Sequence, residues 1–152
     1  MNHANSLPTG EIEFRFPRSR RTPSRARASF REQAALWKVR DEVTEAAELC
    51  VGELVANAVV HGKAPVGREV WVRCVVWQDG PLRIEVLDAD EELPDRVTEL
   101  PEPEAEGGRG LWLVGALADR WNAESRERAA GKRVWCEFDG ACAGEGVGGS
   151  VG

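Results

Sequence analysis

The sequence predicts an α+β fold, a two-layer sandwich in which helices cover one face of a mainly antiparallel sheet. One observation is the spacing of apolar residues over 41–60, which is that of a packed helix face. Another is a pair of β-rich segments, 69–77 and 82–87, joined by an Asp-Gly turn typical of a hairpin. Predicted helices and hairpins also follow one another in groups, which favours an antiparallel sheet over alternating βα units.

The composition is that of one soluble globular domain. The chain has 152 residues, of which 42% are hydrophobic and 30% charged, and this length can bury a core. No apolar run approaches the roughly 20 residues needed to span a bilayer, and segment 1–10 lacks a signal-peptide core. We therefore expect a cytoplasmic protein without membrane contact. The net charge of −6 argues against general nucleic-acid binding.

The cysteine pattern predicts neither disulfides nor a zinc site. The four cysteines show no C-x-x-C pairing, and only two histidines accompany them. Reduced thiols in a cytosolic domain fit this pattern better.

The N-terminal part predicts a short strand followed by a helix. Residues 1–10 are expected to be disordered, and alternation of polar and apolar residues over 11–16 predicts a strand that ends at Pro17. Pro23 suits the first turn of a helix over 24–39. The same region contains a basic run, which is either a solvated helix face or a docking surface for an acidic partner or nucleic acid: Arg15, Arg18, Arg20, Arg21, Arg25, Arg27 and Arg31.

The second predicted helix begins at Asp41, a plausible N-cap, and ends at Gly62. Glu53, Asn57 and His61 are four residues apart and line one stripe of it, about 12 Å long. A carboxylate and an amide in so apolar a helix require partners. The stripe therefore indicates either a cleft that holds a ligand or metal ion, or two polar residues satisfied within the fold. His61 fits helix-end capping better than ligand binding.

An acidic segment follows the predicted hairpin. The second strand of the hairpin ends at Asp88, and residues 91–106 contain seven acids, three prolines and a single base, Arg96. Because this segment shows no periodicity, we expect a mobile loop, which at such a length is usually functional or disordered.

The C-terminal part predicts one further helix and a closing hairpin. The helix is predicted over 111–121, and the two strands over 122–126 and 134–138. The Gly-rich segment 140–152 is expected to be a disordered tail. These boundaries leave one domain over 11–139.

Three residues and one short segment suggest phosphate chemistry. The amide oxygen of Asn57 is a suitable ligand for Mg²⁺, and the carboxylate of Glu53 could orient or deprotonate a hydroxyl. Asp88 could accept a hydrogen bond from an exocyclic amine, although an Asx turn would also explain it. Gly108 and Gly110 stand where a helix begins, a position that favours phosphate. A lone G-x-G is a weak signal, and no Walker A motif is present.

The order of these features resembles the ATP-binding domain shared by gyrase, Hsp90, histidine kinases and MutL. A Glu-x-x-x-Asn helix, a hairpin, an aspartate at a strand end and a loop closing on Gly-x-Gly-Leu follow one another. Within that group the chain is most similar to bacterial anti-sigma regulatory factors, which are serine/threonine kinases. The resemblance covers about residues 11–139 and is carried by segments 53–61, 108–114, 118–121 and 131–138.

The resemblance implies a role for each candidate residue. Asn57 would bind Mg²⁺, Glu53 would be the general base, and Asp88 would contact the amino group of adenine. Gly108 and Gly110 would bring the backbone close to the phosphates of ATP. The neighbouring Arg109 and Leu111 belong to the same nucleotide-binding segment.

The resemblance also implies partners. Family members bind a sigma factor and phosphorylate a serine on an anti-anti-sigma protein of the STAS type. They often form homodimers through the N-terminal strand and first helix, where the arginines of this chain lie.

The sequence departs from the family pattern at two positions. Asp90 stands where Gly or Ser is usual, and Arg133 stands where a Thr near the adenine is common. Two functions therefore remain open. One is a Mg-ATP-dependent kinase that also sequesters a sigma factor, and the other is a nucleotide-binding or degenerate protein-binding module without kinase activity.

Overall fold

The computed structural model describes residues 7–60, 69–88, 109–125 and 131–142. Three helices and five strands follow in the order β1 (Gly10–Pro17), α1 (Thr22–Leu36), α2 (Asp41–Val60), β2 (Glu69–Val76), β3 (Leu82–Asp88), α3 (Arg109–Leu117), β4 (Arg120–Ser125) and β5 (Lys132–Phe138). The strands form one sheet with the order β1-β2-β3-β5-β4, and all four neighbouring pairs are antiparallel. The predicted α+β fold with an antiparallel sheet is confirmed.

The alternation of side chains gives the sheet an apolar inner face and a charged outer face. On the inner face, Cys74, Ile84 and Cys136 lie opposite one another on β2, β3 and β5, and all three are fully buried. The helices cover this face with apolar side chains of their own, among them Phe30 and Val51. Burial of this face is the main source of stability, since apolar area removed from water dominates folding.

The first helix begins two residues earlier and ends three residues earlier than predicted. At its start, the Thr22 hydroxyl donates a 2.5 Å hydrogen bond to the Pro17 carbonyl, so the chain turns directly from β1 into α1. At its end, Lys38 adopts a left-handed conformation with φ 58°, which stops the helix. Trp37 lies beyond the helix and packs half-buried against the core and Gly10.

The third helix is shorter than predicted, and the prediction that it continues to Trp121 is wrong. The amide of Asp119 donates a 2.9 Å hydrogen bond to the carbonyl of Glu137, and Trp121 stands opposite Cys136 in β4. The last residues that the helical spacing assigned to α3 therefore pair with β5 instead.

Other predictions fall partly outside the described residues. The loop over 91–106 and the predicted end of α2 at Gly62 lie outside them, and the predicted tail is described only as far as Cys142. Within that part, Ala141 is buried, and its carbonyl accepts a 2.8 Å hydrogen bond from the amide of Arg40.

The cysteines are free thiols, as the sequence predicted. Cys50, Cys74 and Cys136 are buried, and burial raises the pKa of the Cys74 thiol to about 12. Among the helices in the described part of the chain, none combines the length and apolar character required to cross a membrane.

Candidate functional site

The second helix positions Glu53 and Asn57 at the border of the core. Val51, Leu54 and Val55 on the same helix are buried, and they fix its rotation against the sheet. Glu53 and Asn57 are both half-buried and one turn apart. Their partial exposure leaves the carboxylate and the amide accessible to a ligand.

The start of α3 meets Glu53 at a glycine. A side chain on Gly110 would place its Cβ 2.7 Å from Oε2 of Glu53, closer than real Cβ atoms approach an oxygen. The structure therefore brings together two residues that the sequence analysis proposed separately. Leu111 is 5% exposed and anchors the helix to the core, whereas Arg109 is exposed. The N–H groups of a first helical turn have no partner within the helix, and such a position can receive an anionic group.

Asp88 ends β3 on the inner face and is paired with Lys132. The carboxylate is 5% exposed and Lys132 is 9% exposed. Oδ1 of Asp88 accepts a 3.2 Å hydrogen bond from Nζ of Lys132, which stands directly opposite on β5. A carboxylate so deeply buried needs such a partner, because an unpaired charge away from water is costly.

Lys132 was not among the site residues predicted from the sequence. The signal was the alternation along 132–138, which places Lys132 on the same face as Val134 and Cys136. That signal could not identify the partner, because the register between β3 and β5 depends on chain segments far apart in sequence.

Arg133 does not lie near the predicted adenine contact. It alternates with Lys132 and stands on the outer face, where Nη1 donates a 3.2 Å hydrogen bond to Glu124. Its Nε lies 3.8 Å from a carboxylate oxygen of Glu85. The expectation that Arg133 neighbours the adenine is corrected, because the two faces of a strand are separated by the sheet itself.

Some arginines of the basic run contact other residues of the fold. Nη2 of Arg18 donates a 3.4 Å hydrogen bond to the carbonyl of Val59, and Arg27 lies over Gly52 so closely that a Cβ there would be 2.7 Å from Nη1. Arg31 forms a bidentate ion pair with Glu48 across the two helices, with both N···O distances at 2.5 Å. The exposed arginines are Arg15, Arg20, Arg21, Arg25 and Arg31.

Three residues of interest lie outside the described residues: Gly108, His61 and Asp90. Among the residues that the structure does describe, no group of three or more histidines, cysteines or carboxylates could hold a metal ion. A magnesium ion at Asn57 would then depend on phosphate oxygens and water for its remaining ligands, which is usual for Mg²⁺ in nucleotide sites.

The described residues fit a nucleotide. A buried carboxylate at a strand end can accept a hydrogen bond from a base, and the backbone at Gly110 allows α3 to approach Glu53 closely. A carboxylate and an amide, the groups that Glu53 and Asn57 carry, are among those that can serve magnesium-assisted phosphoryl transfer.

Comparisons with known proteins agree with this geometry. A family model described as the histidine kinase-like ATPase domain matches residues 16–138. A search of curated proteins finds no match. Among solved structures, the RsbU and RsbW domains of Rv1364c from Mycobacterium tuberculosis are similar to this chain, with a TM-score of 0.63 and 18% sequence identity.

That structural match covers 89% of this chain and 34% of the other, so this chain spans about a third of the length of that protein's chain. At this identity the match shows the fold. The family model covers most of the chain, and the resemblance predicted from the sequence is confirmed: the protein belongs to the histidine kinase-like ATPase domain family.

Proposed function

We propose that this protein is an anti-sigma regulator that binds Mg-ATP, phosphorylates a serine on an anti-anti-sigma protein and sequesters a sigma factor. The observation that carries the proposal is the contact between Gly110 and Glu53. It places a carboxylate against the first turn of a helix, where a phosphate group is favoured. Membership of the family implies nucleotide binding in general.

The proposed mechanism assigns one task to each residue. Glu53 accepts the proton of the serine hydroxyl, and Asn57 contributes its amide oxygen to the magnesium ion. Asp88 accepts a hydrogen bond from the base, and the backbone around Gly110 orients the phosphates. When bound, Mg-ATP would supply its terminal phosphoryl group to the serine oxygen, and ADP would be the leaving group. Phosphoryl transfer depends mainly on positioning and charge. These residues therefore provide the kinds of group that the reaction requires.

The proposed partners rest on the named neighbour and on the surface of the N-terminal elements. The solved neighbour contains an RsbW domain. Within the sheet that the described residues form, β1 is an edge strand, and an edge strand can pair with a strand of another chain. Five exposed arginines on β1, α1 and their connection add positive charge. We propose that two copies of the protein form a homodimer through β1 and α1, and that the arginines contact an acidic partner protein.

The first test measures the melting temperature with and without Mg-ATP. At a ligand concentration about a hundredfold above the dissociation constant, binding adds roughly 2.7 kcal/mol, which for a domain of this size is about 5–10 °C. We expect this shift in the wild type and its loss in Asn57→Ala. Asn122→Ala, which alters an exposed asparagine on β4, is the matched control and keeps the shift.

Transfer is tested separately in Glu53→Gln. This variant keeps the size of the side chain, so we expect Mg-ATP binding to persist while phosphorylation of a STAS-type partner falls by at least about a hundredfold. Absence of any thermal shift in the wild type at millimolar Mg-ATP would overturn the proposed function.

A module without kinase activity is the second candidate, since the carboxylate proposed to contact the base already pairs with Lys132. It predicts partner binding by the wild type with no phosphoryl transfer. The transfer assay on the wild type distinguishes the two functions.

A further inference from the structure

We infer that Lys132 is a specificity-determining residue that donates a hydrogen bond to the nucleobase beside Asp88. The inference rests on the proposed function, because it concerns the same nucleotide site. It assigns to Lys132 a ring nitrogen of adenine that neighbours the exocyclic amine, while Asp88 accepts from the amine itself.

The side chains of Lys132 and Asp88 are immediate neighbours. Nζ of Lys132 lies 3.2 Å from Oδ1 of Asp88, and the two residues face each other in the register of β3 and β5. A group that donates to this carboxylate therefore has the ammonium of Lys132 as an immediate neighbour. A base cannot contact Asp88 without also experiencing the field of Lys132.

The pair is chemically complementary to one edge of adenine. An ammonium has three donors and no acceptor, and a carboxylate only accepts. Adenine presents a donor, its amine, with an acceptor ring nitrogen on each side. The carboxylate of Asp88 can accept a hydrogen bond from the amine, and the ammonium of Lys132 can donate one to a ring nitrogen beside it. The pair can therefore bind two neighbouring atoms of the adenine edge. Guanine carries a carbonyl at the place of the amine, which would oppose the carboxylate.

Burial of the charged pair is costly. Both members of the pair are at most 9% exposed, and taking two charges out of water costs several kcal/mol that their attraction does not reliably return. The neighbouring inner-face residues Val86 and Val134 are aliphatic, so the fold tolerates apolar side chains here. A charged pair at the end of the strand is explained if it binds a polar ligand.

The test is equilibrium titration calorimetry with ATP and two analogues, 1-deaza-ATP and 7-deaza-ATP, each lacking one of the two ring nitrogens beside the amine. For the wild type we expect a loss of about 10- to 100-fold for one analogue, the effect of a charge-assisted hydrogen bond. In Lys132→Met, which removes the ammonium and retains most of the length, we expect weaker ATP binding and less than about threefold discrimination.

Lys38→Met is the matched control, since Lys38 is an exposed lysine, and it keeps the wild-type discrimination. Equal affinity of the wild type for ATP and both analogues overturns the inference, and this measurement needs no variant to fold. Discrimination that persists unchanged in Lys132→Met also overturns it, as does tighter binding of GTP than of ATP.

These outcomes are separable from failure of the proposed function. If the wild type binds none of the nucleotides at millimolar concentration, the proposed function fails and the inference with it. If ATP binds with the expected dependence on Asn57 but the deaza analogues bind equally well, only the role of Lys132 is lost.

Discussion

The two faces of the sheet are made by the same five strands and are held together in different ways. The inner face consists mainly of fully buried aliphatic and cysteine side chains beneath the helices. The outer face is charged, and its acids and bases alternate from strand to strand across the whole sheet. One face is stabilised by loss of contact with water and the other by pairing charges that keep part of their hydration.

The outer face contains a continuous chain of ion pairs that joins β1, β2, β3, β5 and β4. Its members, in order, are Glu11, Arg73, Glu85, Arg83, Glu137 and Arg120. Two arginines also lie over tryptophan rings, Arg15 over Trp71 at 4.2 Å and Arg83 over Trp135 at 4.1 Å. Such a face resists pairing with other sheets, since charged side chains disfavour apolar association.

Each face contains one deeply buried carboxylate from β3, and the contrast between them is instructive. Glu85 is 3% exposed in the middle of the outer face, and three arginines approach it within 4 Å. Asp88 is 5% exposed at the end of the strand on the inner face. Glu85 is the centre of a structural network, whereas Asp88 lies at the end of β3 and is the residue proposed to contact the base.

The largest expected effect is on the inner face. Leu82 is fully buried, so Leu82→Ala removes apolar contacts and leaves a cavity, and we expect the free energy of unfolding to fall by about 2–5 kcal/mol. Urea denaturation monitored by tryptophan fluorescence measures it. The same substitution at Leu36, which is 76% exposed, is the control and should change stability by less than about 0.5 kcal/mol. Equal effects at the two positions would contradict the assignment of the inner face as the core.

An intermediate effect is expected at the centre of the outer face. Glu85→Gln keeps the shape and removes the charge that three arginines share, so we expect a loss of about 1–3 kcal/mol in urea denaturation. The arginine side chains are 20–38% exposed. Water can therefore solvate their charges in the variant, which reduces the loss of stability.

The control for Glu85 is Glu13→Gln on the edge strand β1, which β2 separates from β3. Glu13 is exposed and pairs with Arg15 on its own strand at 3.1 Å, so we expect less than about 0.5 kcal/mol. Mg-ATP affinity should be unchanged in Glu85→Gln. A nucleotide defect in that variant would show that the two carboxylates are not separable in function.

The inner face was largely predictable from sequence, and the outer face was not. Successive side chains of a strand alternate between its two faces, so the β-rich segment 69–77 places Val72, Cys74 and Val76 on one face, where all three are buried. Which charges pair across the outer face depends on register and strand order. In this sheet β3 is hydrogen-bonded to β5, not to β4, and local sequence contains no signal for that choice.

The candidate site shows the same division. Glu53 and Asn57 lie on one helix, so their spacing was sufficient to place them on one stripe. The contact of Glu53 with Gly110 and the pair of Asp88 with Lys132 each join segments far apart in the chain. The resemblance implied that Glu53 and Gly110 serve one nucleotide site, but neither this contact nor the pair of Asp88 with Lys132 was predicted. Lys132 in isolation has the pattern of an ordinary strand residue.

The smallest expected effect concerns an ion pair outside the outer-face network. The hydrogen bond from Arg31 holds the pKa of Glu48 below its ordinary value of 4.5. A carboxylate with a lowered pKa in the folded state stabilises the protein above the pKa of the unfolded chain and loses that contribution as pH falls through the folded value. We therefore expect Glu48→Gln to lower the melting temperature slightly at pH 7 and not at pH 3. Scanning calorimetry of both proteins at the two pH values measures this. A difference in melting temperature at pH 3 as large as at pH 7 would mean that Glu48 acts through packing on α2 and not through its charge. An isolated surface ion pair would then contribute less than a member of the outer-face network.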